Sequence, residues 1–526
     1  MGAFVSRPIM PLQQSRIDQA LIKMISVDFQ PFSIVNDRGF REYTHELNPA
    51  YVIPSRTTLT KQFLPSLYEK MRADLLEKVQ MASALCLTTD CWTSSCTTTG
   101  YMTVTCHFVT SEFKLQSNLL DCFELTDSHT SAYLAEQLQR VANDWHITNK
   151  IVACVSDSAA NIKKAVKDIL RWNHVSCFAH IVNLIVRSAT QQPEMQEIIK
   201  KVKSITEFTR RSTVATAKLR EMQQQMGQPQ LILKQDVATR WNSTYYMLKR
   251  ITEVKEPLIS TLALINPQLQ VLSQADWEII KEACDVLQPF EEVTVELSAE
   301  KFVTGSKAIL MARGLQRSTA HHQRNPNLHK PVKEMVGILM AEITRRLGGI
   351  EQVGPLADAT LLDPRFKKHA FVHERHAEEA VTRTVGAISR SIRKNTAASN
   401  AEREEAGLDV RPATNEPMLW ADFEERVATF RPGSQVQNPL TEAMLEIKGY
   451  LSEHLLLRTN DPLEWWRSRA TVFKNACDVM KTRLCVVATS VPSERIFSKT
   501  GQILTDRRNR LTSRKVQQLV FLNANL

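Results

Sequence analysis

The sequence predicts an α/β protein in which a mixed sheet is followed by a long all-helical part. Short runs rich in β-branched residues, which are typical of strands, are confined to residues 84–158. Apolar residues at helical spacing dominate the sequence before and after these runs. The length of 526 residues suggests two to four domains, and the hydrophobic content of 43% is ordinary for a soluble globular protein.

The first 80 residues predict helices, because "IDQALIKMISVDFQPFSIV" and "FLPSLYEKMRADLLEKVQMAS" both carry spaced apolar positions. Three runs then follow one another at hairpin spacing and predict an antiparallel meander: "ALCLTTDCWTS", "YMTVTCHFVT" and "KLQSNLLDCFEL". A fourth run, "KIVACVSDS", follows the helical stretch "SAYLAEQLQRVANDW". We therefore expect the fourth strand to be parallel to a neighbour.

Strands are no longer predicted after about residue 185. Long amphipathic helices are predicted instead, in "MQEIIKKVKSITEFTRRSTVATAKLREMQQQM", "WEIIKEACDVLQPFEEVTVEL" and "KPVKEMVGILMAEITRRL". Residues 393–417 are charged and rich in small side chains, which predicts a disordered segment. Helices resume at "LTEAMLEIKGYLSE" and continue to the C-terminus.

The composition narrows the range of partners. The net charge of +10 and the pI of about 9.0 favour a polyanionic partner, of which nucleic acid is the leading candidate. The ten cysteines are scattered and form no paired CxxC module, which argues against a zinc ribbon or a C2H2 finger. No apolar run reaches the length of a membrane span, so we predict no membrane partner.

Three acidic residues are candidates for metal-dependent chemistry. Asp90 follows the apolar run "ALCLTT" and Asp157 follows "IVACVS", so we expect both where a strand leaves the sheet. Glu494, in "PSERIFS", lies at the edge of an apolar helical stripe. Two such aspartates with one glutamate packed across them would offer the oxygen ligands that Mg²⁺ prefers. Two bound ions would support phosphodiester chemistry.

Each acidic residue also has a structural alternative. Asp157 or Ser156 suits the N-cap of the helix predicted in "AANIKKAVKDIL". Asp90 suits a turn. Glu494 falls in the first turn of its own helix, where a negative charge complements the helix dipole. The residues alone leave both sets of roles open.

Six motifs together resemble the hAT transposase superfamily, and most closely the animal BED-type zinc-finger proteins descended from it. They are "TTDCWTS", "VSDSAANI", "CFAHIVNLIV", "VATRWNSTYYML", "ATLLDPRFK" and "PSERIFSKTGQILTDRRNRL", in the family's order. The resemblance implies an RNase H-like mixed sheet interrupted by a large all-helical insertion. It also implies a DDE triad at Asp90, Asp157 and Glu494, which would bind Mg²⁺ in an active enzyme.

The resemblance also implies four regions along the chain. They are an N-terminal helical segment (1–80), the first part of the RNase H-like core (81–188), the helical insertion (189–436) and a C-terminal hAT dimerisation region that completes the core (437–526). In this last region the adjacent Trp465 and Trp466 cannot share one helical face. We expect dimerisation to involve Trp465, Trp466, Leu519 and Val520; the alternative is that they pack internally.

Further residues match family motifs. Trp241 in "TRWNS", with Arg240, matches a tryptophan that contacts DNA, where an aromatic face would stack an unpaired base. The alternative is a core tryptophan beside Tyr245 and Met247. Phosphate contacts are expected from Arg507, Arg508 and Arg510, with a solvated basic face as the alternative. Cys177 and His180 match the family's CxxH motif, but two ligands do not make a zinc site, so zinc is not predicted.

The sequence departs from the family pattern ahead of the helical segment. A BED finger needs two cysteines and two histidines, whereas residues 1–83 contain no cysteine and only His45. We therefore expect a transposon-derived nuclear protein that dimerises and binds DNA, with a role in transcriptional regulation. Two alternatives remain, an active DDE transposase that cuts and joins DNA with Mg²⁺, and a non-catalytic dimerising scaffold without DNA activity.

Overall fold

A computed structural model describes residues 9–93, 99–237, 240–265, 272–299, 302–405, 438–503 and 511–526. Its five-stranded sheet has the order β3-β2-β1-β4-β5. The strands are β1 (Leu85–Thr93), β2 (Gly100–Val109), β3 (Leu115–Leu125), β4 (Ile151–Ser156) and β5 (His174–Ser176). The first three are antiparallel, whereas β4 is parallel to β1 and β5 is parallel to β4. The predicted meander and the predicted parallel strand are therefore confirmed.

Helices make up most of the remaining described chain. Those before and among the strands are α1 (Pro11–Val27), α2 (Arg38–Leu47), α3 (Arg56–Thr58), α4 (Leu64–Met81), α5 (Ser131–Asp144) and α6 (Ala160–Lys163). Those directly after the sheet are α7 (Phe178–Thr190), α8 (Pro193–Arg211), α9 (Thr213–Gln225), α10 (Trp241–Glu253), α11 (Lys255–Ile265) and α12 (Gln274–Leu297). Within the described ranges, no helix combines the length and apolar character needed to cross a bilayer.

The later helices run to the end of the sequence. They are α13 (Ala308–Gln323), α14 (Lys330–Leu347), α15 (Gly354–Leu361), α16 (Glu374–Glu405), α17 (Pro439–Ser452), α18 (Pro462–Ser468), α19 (Lys474–Leu484), α20 (Val491–Ile503) and α21 (Ser513–Asn525). Short 3₁₀ turns occur at Phe32–Asn36, Thr148–Lys150, Gly305–Lys307, Ile350–Gln352 and Lys367–Ala370, and π-helical turns at Leu59–Phe63 and Lys164–Ile169. The predicted helical stretches before and after the sheet are therefore confirmed in the described ranges.

Helices cover both faces of the sheet, because successive side chains of a strand point to opposite sides. Leu85 and Leu87 of β1 lie in one buried cluster with Val79 of α4. Cys86, between them, lies in a second cluster with Val182 of α7. The core thus extends over both sides of the sheet, and the central strand β1 is buried between them.

The last two helices return to the sheet from the far end of the sequence. Helix α20 packs against β1 and β2, and α21 packs against β3 and α4. Asn525 of α21 donates a hydrogen bond to the Leu119 carbonyl (2.9 Å) and accepts one from the Leu119 N–H (3.1 Å). These bonds satisfy backbone groups of the edge strand β3, which would otherwise be open to another strand.

The structure corrects the sequence analysis at three places. Asp90 does not follow β1 but lies within it, because β1 continues to Thr93 in a hairpin with β2. Residues 393–405 of the predicted disordered segment are helical and belong to α16, as the helix formers Ala, Arg and Glu favour; residues 406–417 lie outside the described residues. The three-residue strand β5 was not predicted. The four predicted regions, including a separate helical insertion, stay predictions.

Candidate acidic site

The first two candidate carboxylates lie at the same end of neighbouring strands. Parallel pairing between β1 and β4 ends at Thr88 and Val155, and Asp90 lies two residues beyond that pair. Asp157 is the residue directly after β4. Because β1 and β4 run in the same direction, both aspartates lie at one edge of the sheet.

Backbone amides orient both aspartates. The Cys91 N–H donates to Asp90 Oδ1 at 2.9 Å, and the Ala159 N–H donates to Asp157 Oδ1 at 3.2 Å. The N-cap residue of α6 is Ala159, which makes no side-chain cap, and Ser156 Oγ lies 2.9 Å from the His174 ring instead. The predicted cap by Asp157 or Ser156 is therefore wrong. The turn role of Asp90 is also wrong, because Asp90 is paired within β1.

The third carboxylate reaches this edge on the first turn of α20. Ser493 Oγ lies 2.8 Å from Thr88 Oγ1, and the Phe497 ring stacks on Trp92 with centroids 5.8 Å apart. Asp90 is midway between Thr88 and Trp92 on the same face of β1, because alternate residues of a strand share a face. The first turn of α20 therefore lies over Asp90.

The three carboxylates influence one another electrostatically. Burial raises the pKa of Asp90 to about 8, and the charges of Glu494 and Asp157 add to that rise, while the Cys91 N–H opposes it. Repulsion between like charges has this effect only at short range.

The donor set has the chemistry that a hard divalent cation requires. Asp90, Asp157 and Glu494 offer only carboxylate oxygens, which Mg²⁺ prefers, and a cation would relieve their mutual repulsion. Among the residues that the structure describes, however, no three His, Cys, Asp or Glu side chains are close enough to hold one ion. The oxygen donors fit Mg²⁺ in kind, although their grouping is looser than a three-ligand cage.

Trp241 belongs to the core rather than to the surface. It is 4% exposed, and its ring lies 6.2 Å from that of Tyr245. This is the alternative placement, beside Tyr245 and Met247, and the role of Trp241 in stacking a DNA base stays a prediction. Its indole N–H is buried and has no hydrogen-bond partner in the structure. Trp241 also lines a cleft of about 180 Å³, together with Arg187, Lys203 and Arg240.

Cys177 contacts the segment that leads to Glu494. Its thiol is fully buried ahead of α7, and its Sγ accepts a hydrogen bond from the Ser490 N–H at 3.3 Å. Burial raises the pKa of Cys177. His180 is half-buried in the first turn of α7. Cys177 therefore contacts the chain four residues before Glu494.

The tryptophan pair of the C-terminal region lies at two depths of burial. Trp466 is fully buried, stacks on Tyr450 at 4.9 Å and donates its indole N–H to the Leu362 carbonyl at 2.8 Å. Trp465 is half-buried and stacks against Phe473 at 6.3 Å. The two rings lie 5.2 Å apart and both contact Tyr450 and Phe473, so the prediction that they cannot share one face is wrong; they differ in depth of burial. Trp466 follows the alternative of internal packing.

Leu519 and Val520 also pack internally. Each is 1% exposed in α21, which lies against β3 and α4 of the same chain. Their placement follows the alternative, so the apolar surface for a second copy must come from other residues. The remaining predicted DNA contacts, Arg507, Arg508 and Arg510, lie outside the described residues.

The sequence analysis missed a set of buried polar side chains beneath the acidic site. They are Thr88 of β1, Thr105 and His107 of β2, and Ser493 of α20. A sequence signal was present, because Thr88, Thr105 and His107 interrupt runs that are otherwise apolar and strand-like. Buried polar residues in such runs have hydrogen-bond partners, which identifies them as candidates for a network.

Comparison with protein families gives three matches along the chain. Residues 88–178 match the ZBED1 RNase-like domain, and residues 175–286 match the ZBED1 RNase-like helical domain. Residues 446–526 match the hAT family C-terminal dimerisation region. Asp90 and Asp157 fall in the first match and Glu494 in the third, so the acidic site joins two matched regions.

Curated relatives align over nearly the whole chain. Zinc finger BED domain-containing protein 4 of Homo sapiens is 27% identical over 97% of this chain and 43% of its own length. A protein of Zea mays called putative AC transposase is 26% identical over 93% of this chain and 62% of its own length. Zinc finger BED domain-containing protein RICESLEEPER 3 of Oryza sativa subsp. japonica is 24% identical over 96% of this chain and 69% of its own length. The chain thus spans less than two thirds of the first two.

Proposed function

We propose, from the premise that this chain belongs to the hAT-type transposase-like proteins, that it is a nuclear protein that self-associates and binds DNA in transcriptional regulation. The match of residues 446–526 to the hAT dimerisation region is the observation that carries this proposal. It supports self-association. The relatives, whose names include BED zinc fingers and a transposase, support origin from a transposon and residence in the nucleus.

The charge of the chain supports DNA as the partner. The net charge of +10 gives non-specific attraction to a phosphate backbone. The cleft beside Trp241 presents the exposed side chains of Arg187 and Arg240, whereas Lys203 in the same cleft pairs with Asp236 at 2.6 Å. Guanidinium groups match the geometry of phosphate oxygens. We assign the two arginines to phosphate contacts.

The DNA contact is tested by removing both charges. The double variant Arg187→Gln/Arg240→Gln should bind duplex DNA more weakly, and its slope of log affinity against log salt should fall by about 1 for each lost contact. Arg16→Gln, which removes an exposed arginine of α1 far along the sequence, is the matched control. Fluorescence anisotropy at several salt concentrations measures both quantities. An unchanged slope in the double variant would contradict the assignment.

The acidic site supports a second candidate, an active transposase. The observation that favours it is that Asp90 and Asp157 lie at the same end of neighbouring parallel strands, with the first turn of α20, which carries Glu494, packed over β1. If Mg²⁺ binds, Asp90 and at least one of Asp157 and Glu494 would hold it, and it would supply a Lewis acid and an acidified water. The chain's own contribution is orientation, because the amides of Cys91 and Ala159 fix two of the carboxylates.

A cleavage assay separates the candidates. The full chain is incubated with DNA that carries candidate terminal repeats, with and without Mg²⁺, beside Asp157→Asn. Mg²⁺-dependent cutting that Asp157→Asn abolishes supports the enzyme. Salt-sensitive DNA binding without cutting supports the regulatory protein, and a stable dimer with neither activity supports a scaffold.

A further inference from the structure

A buried network of polar side chains links the start of α20 to the centre of the sheet. Ser493 Oγ lies 2.8 Å from Thr88 Oγ1 and 3.5 Å from Thr105 Oγ1, and the two threonine hydroxyls are hydrogen-bonded to each other. His107 Nε2 also belongs to this network, 3.3 Å from Thr105 Oγ1 and 3.4 Å from Thr88 Oγ1. All four residues are buried, at 3% exposure or less. Buried polar groups of this kind specify one arrangement, because leaving any of them unpaired is costly.

A second set of contacts holds the segment just before α20. Cys177 Sγ accepts a hydrogen bond from the Ser490 N–H at 3.3 Å, and the Phe178 N–H donates to the Ala488 carbonyl at 2.9 Å. On the other side, Thr489 Oγ1 donates to the Leu297 carbonyl at 3.2 Å. The returning chain is therefore fixed between the start of α7 and the end of α12 before it enters α20.

We propose that Ser493 and Cys177 are positioning residues that hold Glu494 over Asp90. The proposal rests on the acidic site described under the proposed function. Ser493 fixes the rotation of α20 on β1, because its hydroxyl contacts Thr88, which lies two residues before Asp90. Cys177 fixes the position of Ser490, the residue directly before α20, relative to the start of α7. Neither side chain touches a substrate or a metal ligand set; both act through the placement of Glu494.

Thr500, a second buried hydroxyl on α20, provides a control for Ser493. Thr500 is fully buried in α20, and its Oγ1 donates to the Ile496 carbonyl within the helix at 2.7 Å. It lies seven residues beyond Ser493, about 10 Å along the helix axis. Thr500→Val should therefore reduce stability without moving the first turn, which makes it the matched control for Ser493→Ala.

Hydrogen exchange tests the contacts without any metal. In the full chain, Cys177→Ala removes the acceptor of the Ser490 amide, and Ser493→Ala removes the link to β1. Both should raise the exchange rate of peptides covering residues 488–496 by about tenfold, whereas Thr500→Val should not. Cys177→Ser and Ser493→Thr keep a polar acceptor or a hydroxyl and should restore protection. Wild-type exchange rates in both alanine variants would overturn the proposal.

Mn²⁺ binding tests whether these contacts serve the acidic site. Calorimetric titration of Mn²⁺ into the full chain should show binding that Ser493→Ala weakens by about tenfold, because Glu494 is then less firmly placed, and that Ser493→Thr restores. Thr500→Val should bind Mn²⁺ as the wild type does. Equal Mn²⁺ affinity in Ser493→Ala and the wild type would overturn the positioning role. If the wild type itself binds no Mn²⁺, the metal site of the proposed function has failed, and the exchange rates decide the contacts alone.

Discussion

At the scale of single residues, the molecule places one carboxyl in an unfavourable setting for its charge. Burial in the central strand raises the pKa of Asp90 to about 8 from an ordinary 3.8, and the charges of Glu494 and Asp157 add to that rise. The folded chain thus keeps a proton that the unfolded chain releases. The stability contributed by this proton is complete below pH 4 and is lost as the pH rises towards 8.

Asp90→Asn should therefore stabilise the metal-free chain under alkaline conditions. The melting temperature of the variant, measured with a chelator present, should exceed that of the wild type by at least about 2 °C at pH 9, and the difference should shrink towards pH 5. Asp127→Asn is the control, because exposed Asp127 also accepts a hydrogen bond from the next amide, at 2.9 Å from Ser128. A pH-independent difference for Asp90→Asn would show that its carboxyl has no raised pKa.

At the scale of elements, predictability followed the strength of the local pattern. The strands β1 to β4 and the long helices were predicted because apolar periodicity is a local signal. The strand β5 has only three residues, which are too few to show alternation. The extension of α16 through residues 393–405 was missed because its polar composition is shared by helices and disordered segments. The approach of α20 to β1 was available only from the family resemblance, since no local pattern records a contact so distant in sequence.

In the short helix α18, the adjacent Trp465 and Trp466 contribute differently to the stability of the fold. Trp466→Phe removes a buried indole hydrogen bond to the Leu362 carbonyl and part of a packed ring, and should lower the free energy of unfolding by about 2 kcal/mol. Trp465→Phe should cost less than about 1 kcal/mol, because Trp465 is half-buried. Chemical denaturation compares the two variants. Equal losses would contradict the division of roles between them.

At the scale of the whole molecule, self-association needs an apolar surface that is not already buried by packing within one chain. Leu519, Val520 and Trp466 are buried within the chain. Residues 437–526 expose other large apolar side chains, namely Met444 (52% exposed), Leu445 (65%), Leu457 (71%) and Val472 (63%). Met444 and Leu445 are neighbours in α17, and exposed apolar side chains that lie together are typical of association surfaces. We infer that a second copy contacts this part of α17 and the segments near it.

Met444→Glu should weaken self-association, because a charge placed at the centre of an apolar contact is costly to desolvate. Light scattering coupled to size-exclusion chromatography should show the dimer dissociating at about tenfold higher concentration than the wild type. Met81→Glu is the control, since Met81 is 78% exposed at the end of α4, far from α17 in the sequence. Equal effects of the two substitutions would argue against α17 as the contact.

The central claim is that distant parts of the chain bring Asp90, Asp157 and Glu494 to one pocket. A crystal of the full chain soaked in Mn²⁺ tests this directly through the anomalous signal of the metal. The account predicts a Mn²⁺ ion coordinated by Asp90 and at least one of the other two carboxylates, at oxygen distances of about 2.0–2.4 Å. A structure in which the carboxyl of Glu494 lies more than about 10 Å from that of Asp90 would contradict it, because no shared cation spans that gap.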